Sequence, residues 1–283
     1  MKEYRDSHFE GERSLFMSED VAVIDSTFAS GESPLKESRR IRVDGCTFDW
    51  KYPLWYCDGV TCRNTTLTET ARSGIWYTKN ITMSRCNINA PKTFRRAEGI
   101  FLRSVRMPNA FETMWSCRDI HLYDVYVEGD YFGMNCVDVL ADSLTINGNY
   151  AFDGGMNIII RNSTLLSKDA FWNCENVIVE NSTIVGEYLG WNSSNVRFIN
   201  CKIESNQGLC YMKNVVLEGC ELVNTDLAFE YSTVNAEVRS HVISIKNPSG
   251  GRISVNSVGE IIIDENRRGE DTAIEVGGTD VTL

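Results

Sequence analysis

FWNCENVIVENSTI, residues 171–184, is echoed nineteen residues later by GWNSSNVRFINCKI, residues 190–203. Each copy has an Asn, then two apolar residues at spacing two, then a polar turn, a small residue and another apolar position. Spacing two is the signature of a strand with one face buried. The Asn on the near side tolerates the left-handed backbone of a sharp corner. A strand between corners, written twice at a fixed distance, raises the question of how far the repeat extends.

It extends through most of the chain. Taking the first apolar residue of each pair as an anchor gives Val21, Ile41, Val60, Ile81, Ile100, Ile120, Val139, Ile158, Val177, Val196, Val215 and Val234. The intervals are 20, 19, 21, 19, 20 and then 19 six times. Two and seven places after the anchor lie apolar columns such as Ile160, Val179, Phe198 and Leu165, Ile184, Ile203. One place before it lies a column of Asn, Asp and Gly, and ten places before it a column of small residues including Gly11, Gly31, Gly129, Gly148 and Gly186. That last column suggests a second tight corner.

Helical periodicity is absent, and short strands between corners fill the period. A coil of this kind cannot bury its apolar edge alone, so successive coils must stack, with backbone hydrogen bonds between them about 4.8 Å apart. The expectation is an all-β, single-stranded, right-handed parallel β-helix of about twelve coils over residues 1–237, with the chain beginning inside the helix. Residues 238–283, where Ile243, Ile245, Ile253 and Val255 fall in a different register, are expected to form a C-terminal β cap. Its segment DENRRGEDT, residues 264–272, reads as a polar, frayed tail.

The chain has 283 residues and a net charge of −11, which argues against binding nucleic acid through its phosphates and against an anionic membrane surface. Its apolar runs are too short for a membrane span, and its N-terminus has no apolar signal segment. Ten cysteines occur without a C-x-x-C pair, which disfavours a zinc ribbon. They fall in small or apolar columns and read as buried thiols in a reducing, cytoplasmic setting. No metal or cofactor is expected. Glu19, Arg39, Asp58, Lys79, Glu98 and Arg118 alternate in sign two places before the anchor and read as a solvated charge ladder.

The segment from ten to four places before the anchor is rich in rings. Five of the six tryptophans share one column, Trp55, Trp76, Trp115, Trp172 and Trp191, and Tyr131, Tyr150 and Tyr188 share another. The tryptophan column also holds Lys36, Arg95 and Asp153, which a dry core would reject, so outward rings are favoured. Several exposed rings exceed the apolar patch that a soluble monomer tolerates. Three readings stay open: a binding face, a homo-oligomer contact, or rings packed inward after all.

Sugar rings suit an aromatic face bordered by polar side chains, so an oligosaccharide is the expected partner, with Trp115, Trp172, Trp191, Tyr188, Tyr131 and Tyr150 as candidate binding residues. A non-catalytic scaffold or protein-interaction β-helix is the alternative. Glycoside hydrolysis asks for two suitably spaced carboxylates. Asp130, Asp153, Asp169 and Glu187 do not pair in that way, and Lys168 with Glu187 looks like a salt bridge. For lyase chemistry, Asp153 and Lys168 are the candidates. Whether the protein is an enzyme stays open.

The architecture resembles the pectin-lyase-like superfamily. Its polygalacturonases carry N-T-D, D-D, G-H-G and R-I-K motifs, and only Asn224-Thr225-Asp226 matches, to the first. Across nearly the whole chain, GESPLKES (31–38), WKYPLWY (50–56), APKTFRR (90–96), SKDAFWNC (167–174), GEYLGWNS (186–193) and IKNPSGG (245–251) resemble the family called domain of unknown function 3737. That resemblance implies a right-handed β-helix and no catalytic residue.

Overall fold

A computed structural model of the chain describes residues 1–265, 269 and 272–281, and every regular element among them is a β-strand. Most of the segment 264–272, expected to fray, lies outside the described residues. The fold is a right-handed parallel β-helix of about 14 turns, slightly more than the anchors alone count. It divides into two compact units, Met1–Asn147 and Gly148–Leu283.

In the first unit the strands Lys2–Arg5, Glu19–Ile24, Arg39–Asp44, Asp58–Arg63, Lys79–Ser84, Glu98–Met107, Arg118–Glu128 and Val137–Asn147 stack in parallel. Lys2 already pairs with Val21, so the first coil is laid down ahead of the first anchor. Val21, Ile41, Val60, Ile81, Ile100, Ile120 and Val139 are then successive partners in register. A left-handed residue four places after the anchor, such as Asp25 or Asn64, turns the chain into a short strand. Those short strands carry the inner rings, and Phe28 and Phe48 stack with centroids 4.6 Å apart. The alternating charges of the expected ladder are exposed and in register. Their neighbour Arg40 reaches back to Asp20 at 2.8 Å and to Glu19, and that hydrogen bond holds the Asp20 carboxyl below its usual range.

In the second unit the strands Met156–Arg161, Glu175–Glu180, Ser194–Ile199, Lys213–Val223, Val234–Lys246 and Gly251–Ile262 stack in the same way, and Thr272–Val276 follows. Ile158 pairs with Val177, Val177 with Val196, Val196 with Val215 and Val215 with Val234. Register shifts occur between Leu217 and Cys220 and between Val238 and His241, where the sequence period loosens. Parallel stacking nonetheless continues through Gly251–Ile262 to Thr272–Val276, and Thr279–Val281 folds back antiparallel on the latter.

Two columns hold the coils in step. Asn157, Asn176, Asn195 and Asn214 are all left-handed, with φ of 56°, 59°, 55° and 58°. Asn176, Asn195 and Asn214 each donate the side-chain amide to the preceding member, at 3.1, 3.1 and 2.9 Å, so the corner residues form a continuous amide ladder. The small column ten places before the anchor makes the tight corner expected of it, with φ of 84°, 148° and 138° at Gly11, Gly31 and Gly129, and it also answers a second demand. At Gly186 an added Cβ would sit 2.0 Å from the carbonyl oxygen of Ser167 in the coil below. The need there is close approach between coils.

The apolar columns two and seven places after the anchor are sealed: Ile160, Val179, Phe198, Leu165, Ile184 and Ile203 are buried. Each such side chain stabilises the fold by about 1.5–3 kcal/mol relative to exposure. All ten cysteines are buried and free. Cys201 donates its thiol to the Val179 carbonyl at 3.3 Å, and Cys220 to the Phe198 carbonyl at 3.3 Å. In the same column Ser182 donates to the Glu180 carbonyl at 2.7 Å, so thiol and hydroxyl do related work there.

Candidate functional site

The aromatic segment is shaped by left-handed residues. In the second unit Tyr150, Asp169, Tyr188 and Gln207, eight places before their anchors, have φ of 59°, 59°, 57° and 51°. Asn173, Asn192 and Tyr211, four places before theirs, have φ of 55°, 59° and 57°. Between these two corners the chain points Phe171 and Leu209 into the core. In two coils the residue after this inward position is a half-buried tryptophan, Trp172 or Trp191, whereas after Leu209 it is the buried Cys210.

The tryptophans are tied down. Trp172 donates its indole N–H to the Tyr188 carbonyl at 2.8 Å, and Trp191 to the Gln207 carbonyl at 2.9 Å. In the first unit Trp76 donates to the Lys92 carbonyl at 2.8 Å, Trp115 to the Tyr131 carbonyl at 2.7 Å, and Trp55 to the Ser73 carbonyl. The acceptor is each time the left-handed residue of the following coil. The rings also spend their faces on one another. Trp172 and Trp191 stack at 5.8 Å and 13°, and Tyr211 leans on Trp191 at 5.0 Å. What this ring stack offers to solvent is therefore ring edges and the side of Tyr211, which is 43% exposed.

The first unit varies the same stack. Trp55 lies on Trp76 at 5.2 Å and 8°, and the Arg95 guanidinium takes the next place, 4.7 Å from both Trp76 and Trp115. Its Nε and one terminal nitrogen are buried without a hydrogen bond, and Glu112 lies 3.8 Å away. A guanidinium between two indole faces retains cation–π attraction where it has lost water. Tyr131, 37% exposed, meets Trp115 edge-on at 6.4 Å.

The candidate polar residues lie in the second unit and have partners of their own. Lys168 pairs with Glu187 at 3.2 Å and stands 5.2 Å from the Tyr188 ring. That hydrogen bond raises the Lys168 pKa, so the side chain stays charged and suits neutralisation better than proton abstraction. Asp153 accepts from Asn173 at 2.9 Å, and Asn173 in turn from Asn192 at 2.8 Å, so Asp153 is the end of an amide ladder. Asp226 of the N-T-D triplet accepts from the Leu227 amide at 3.0 Å and from the Ser244 hydroxyl, which is turn chemistry. Among the described residues, no group of three His, Cys, Asp or Glu stands close enough to hold a metal ion.

Asp169, which the sequence set aside as a carboxylate without a paired partner, stands out in the structure. It is 2% exposed and occupies the tyrosine column between Tyr150 and Tyr188. Its Oδ1 has no hydrogen-bond partner. Burial raises its pKa, opposed by the Lys168 charge and by a hydrogen bond with Tyr150, and reinforced by Glu187 and Asp153. The available signal was a single carboxylate in a column otherwise of tyrosines.

A groove of about 690 Å³ lies elsewhere on this unit, along the ladder Asn157, Asn176, Asn195 and Asn214 and beside Ile159, Ile178 and Val216.

The family model described as "Protein of unknown function (DUF3737)" matches residues 2–275. The chain belongs to that family. No curated protein matches it. Among solved structures it is similar to PfbA, a surface adhesin of Streptococcus pneumoniae, at 10% identity over 89% of this chain and 83% of that one, TM-score 0.49. It is similar to the A-module of the mannuronan C-5 epimerase AlgE6 of Azotobacter vinelandii at 11% identity over 98% and 87%, TM-score 0.34. It is also similar to the tailspike protein of E. coli bacteriophage HK620, solved with a pentasaccharide, at 10% identity over 90% and 62%, TM-score 0.30. Likenesses this distant say nothing about the chemistry of the DUF3737 chain.

Proposed function

We propose that this DUF3737 protein binds carbohydrate on the aromatic face of its second unit. The observation that supports the reading is a row of accessible rings, Tyr150, Trp172, Tyr188, Trp191 and Tyr211, bordered by the Lys168–Glu187 pair. A sugar would set its C–H groups against the exposed side of Tyr211, and its hydroxyls against the ion pair and the tyrosine hydroxyls. The role is binding: Lys168 is held charged and Asp153 is engaged in a ladder. A cytoplasmic location belongs to the same proposal and suits ten unpaired thiols.

Titration of tryptophan fluorescence with a panel of neutral, acidic and amino oligosaccharides tests this. Saturable quenching that Tyr211→Ala abolishes without changing the unfolding midpoint supports the reading. A flat response to every sugar overturns it.

A second reading has its own observation. The indole N–H groups of Trp172 and Trp191 are spent on backbone carbonyls, which leaves the face poor in donors for sugar hydroxyls and suits it to another protein surface. A dimer in solution that Tyr211→Ala dissociates, with no sugar response, would favour that use.

A further inference from the structure

Among the described residues of the second unit, Asp169 is the carboxyl that the fold leaves unfinished. Asp169 is 2% exposed, and a buried carboxylate oxygen without a donor is costly. Its Oδ1 has none, although Tyr150 bonds to the same carboxyl and Lys168 is the adjacent residue. Lys168 is turned to Glu187, 3.2 Å away. The amide ladders and indole bonds around it are complete, which makes the missing partner specific to Asp169.

Its surroundings indicate what would complete it. Asp153, Asp169 and Glu187 face a single cation, Lys168, so the local field is negative and repels acidic sugars. Tyr150 and Tyr188 flank Asp169 in its column, and Tyr150 meets Trp172 edge-on at 6.0 Å. Aromatic rings beside a desolvated carboxylate form a cation site, because quadrupole and charge attract the same group.

We propose that Asp169 accepts a primary ammonium group and that the ligand of the aromatic face is an amino sugar. The ammonium donates to Oδ1, with Tyr150 swinging aside to admit it, and the pyranose ring lies toward Trp172 and Tyr188. This rests on the carbohydrate reading given above, but the ammonium site is separable from it. A neutral sugar offers a hydroxyl in the same place, a weaker donor to a carboxylate. An N-acetylated sugar removes the charge and adds bulk.

Fluorescence and calorimetric titrations with glucosamine oligomers, N-acetylglucosamine oligomers, glucose oligomers and spermidine test the inference. They are run at a pH below the pKa of the amine and above that of Asp169. Glucosamine oligomers should bind at least about tenfold tighter than glucose oligomers, the factor expected of one charge-assisted hydrogen bond. Asp169→Asn should remove that preference while remaining folded. Wild-type affinity for the amine should fall as the pH is lowered and Asp169 takes up a proton, and the Asn variant should lack this dependence.

Equal binding of amino, acetylated and neutral oligomers overturns the ammonium site and leaves the carbohydrate reading standing. Spermidine binding that Asp169→Asn abolishes, with no response to any sugar, upholds the ammonium site and overturns the carbohydrate reading. An undiminished amine preference in Asp169→Asn, or no response to any of the four ligands, overturns the inference.

Discussion

Trp172 donates its indole N–H to the backbone carbonyl of Tyr188, 2.8 Å away in the next coil. The bond joins a half-buried ring to a left-handed corner, and it recurs at Trp191 and Gln207. Trp172→Phe keeps a six-membered ring in the stack and loses the donor together with the pyrrole part of the indole. It should cost about 1 kcal/mol of stability in urea unfolding. Trp172→Ala also removes the ring and should cost about 3 kcal/mol. Equal stability of wild type and Phe variant would mean that the indole bond contributes nothing.

Asn176 stands mid-ladder, donating to Asn157 at 3.1 Å and accepting from Asn195 at 3.1 Å, with φ of 59°. Asn176→Ala loses both amide bonds and leaves its Cβ in a left-handed conformation that the amide side chain no longer offsets. A loss of about 2 kcal/mol is expected. Asn176→Gly loses the amides but relieves the backbone and should recover about 1 kcal/mol of that. If Ala and Gly have the same midpoint, backbone strain is not what Asn answers there.

Gly186 has the Ser167 carbonyl where its Cβ would be. Gly186→Ala must push two coils apart and should destabilise by about 2 kcal/mol or more. Gly278, beside which an added Cβ meets nothing within 4 Å, provides a control for the close approach, although its φ of 80° adds strain of its own. Thermal unfolding of the two alanine variants separates contact from conformation.

Asp169 sets a pH dependence. Burial raises its pKa in the folded state above the unfolded value. The folded protein therefore holds the proton more tightly than the unfolded chain. The stability this brings is full at acid pH, below the unfolded pKa, and is lost as the pH rises through the raised folded pKa. Asp169→Asn should raise the unfolding midpoint at neutral pH, by about 1 kcal/mol of stability, and the gain should vanish toward acid pH. A neutral-pH loss in the Asn variant would mean that the carboxylate is stabilised in the folded protein by groups other than those named.

Much of the fold is legible because the columns are physical. The interval from Ile158 to Val177 in the sequence is one inter-strand step in space, so periodic residues are stacked residues. The Asn column announced corners but not its ladder, since the amide bonds appear only when left-handed residues are superposed. The small column was read as a corner, which the positive φ of Gly11, Gly31 and Gly129 bears out, and Gly186 adds a demand that the spacing did not show, close approach to its neighbour's backbone. Past Val234 the spacing loosens, and the continued parallel stacking of Val234–Lys246 on Gly251–Ile262 was harder to see for that reason.

The amino-acid order by itself settled the coil, its register and which columns face the core, because these follow from local chirality and from apolar residues recurring at one step. Only the tertiary structure decided what the aromatic face is. Whether Trp172 shows its face to solvent or to Trp191 depends on ring rotation between coils. Whether Asp169 keeps its water depends on the tyrosines above and below it. Burial and hydrogen-bond satisfaction are properties of neighbours that the chain brings together from different coils, and no single coil encodes them.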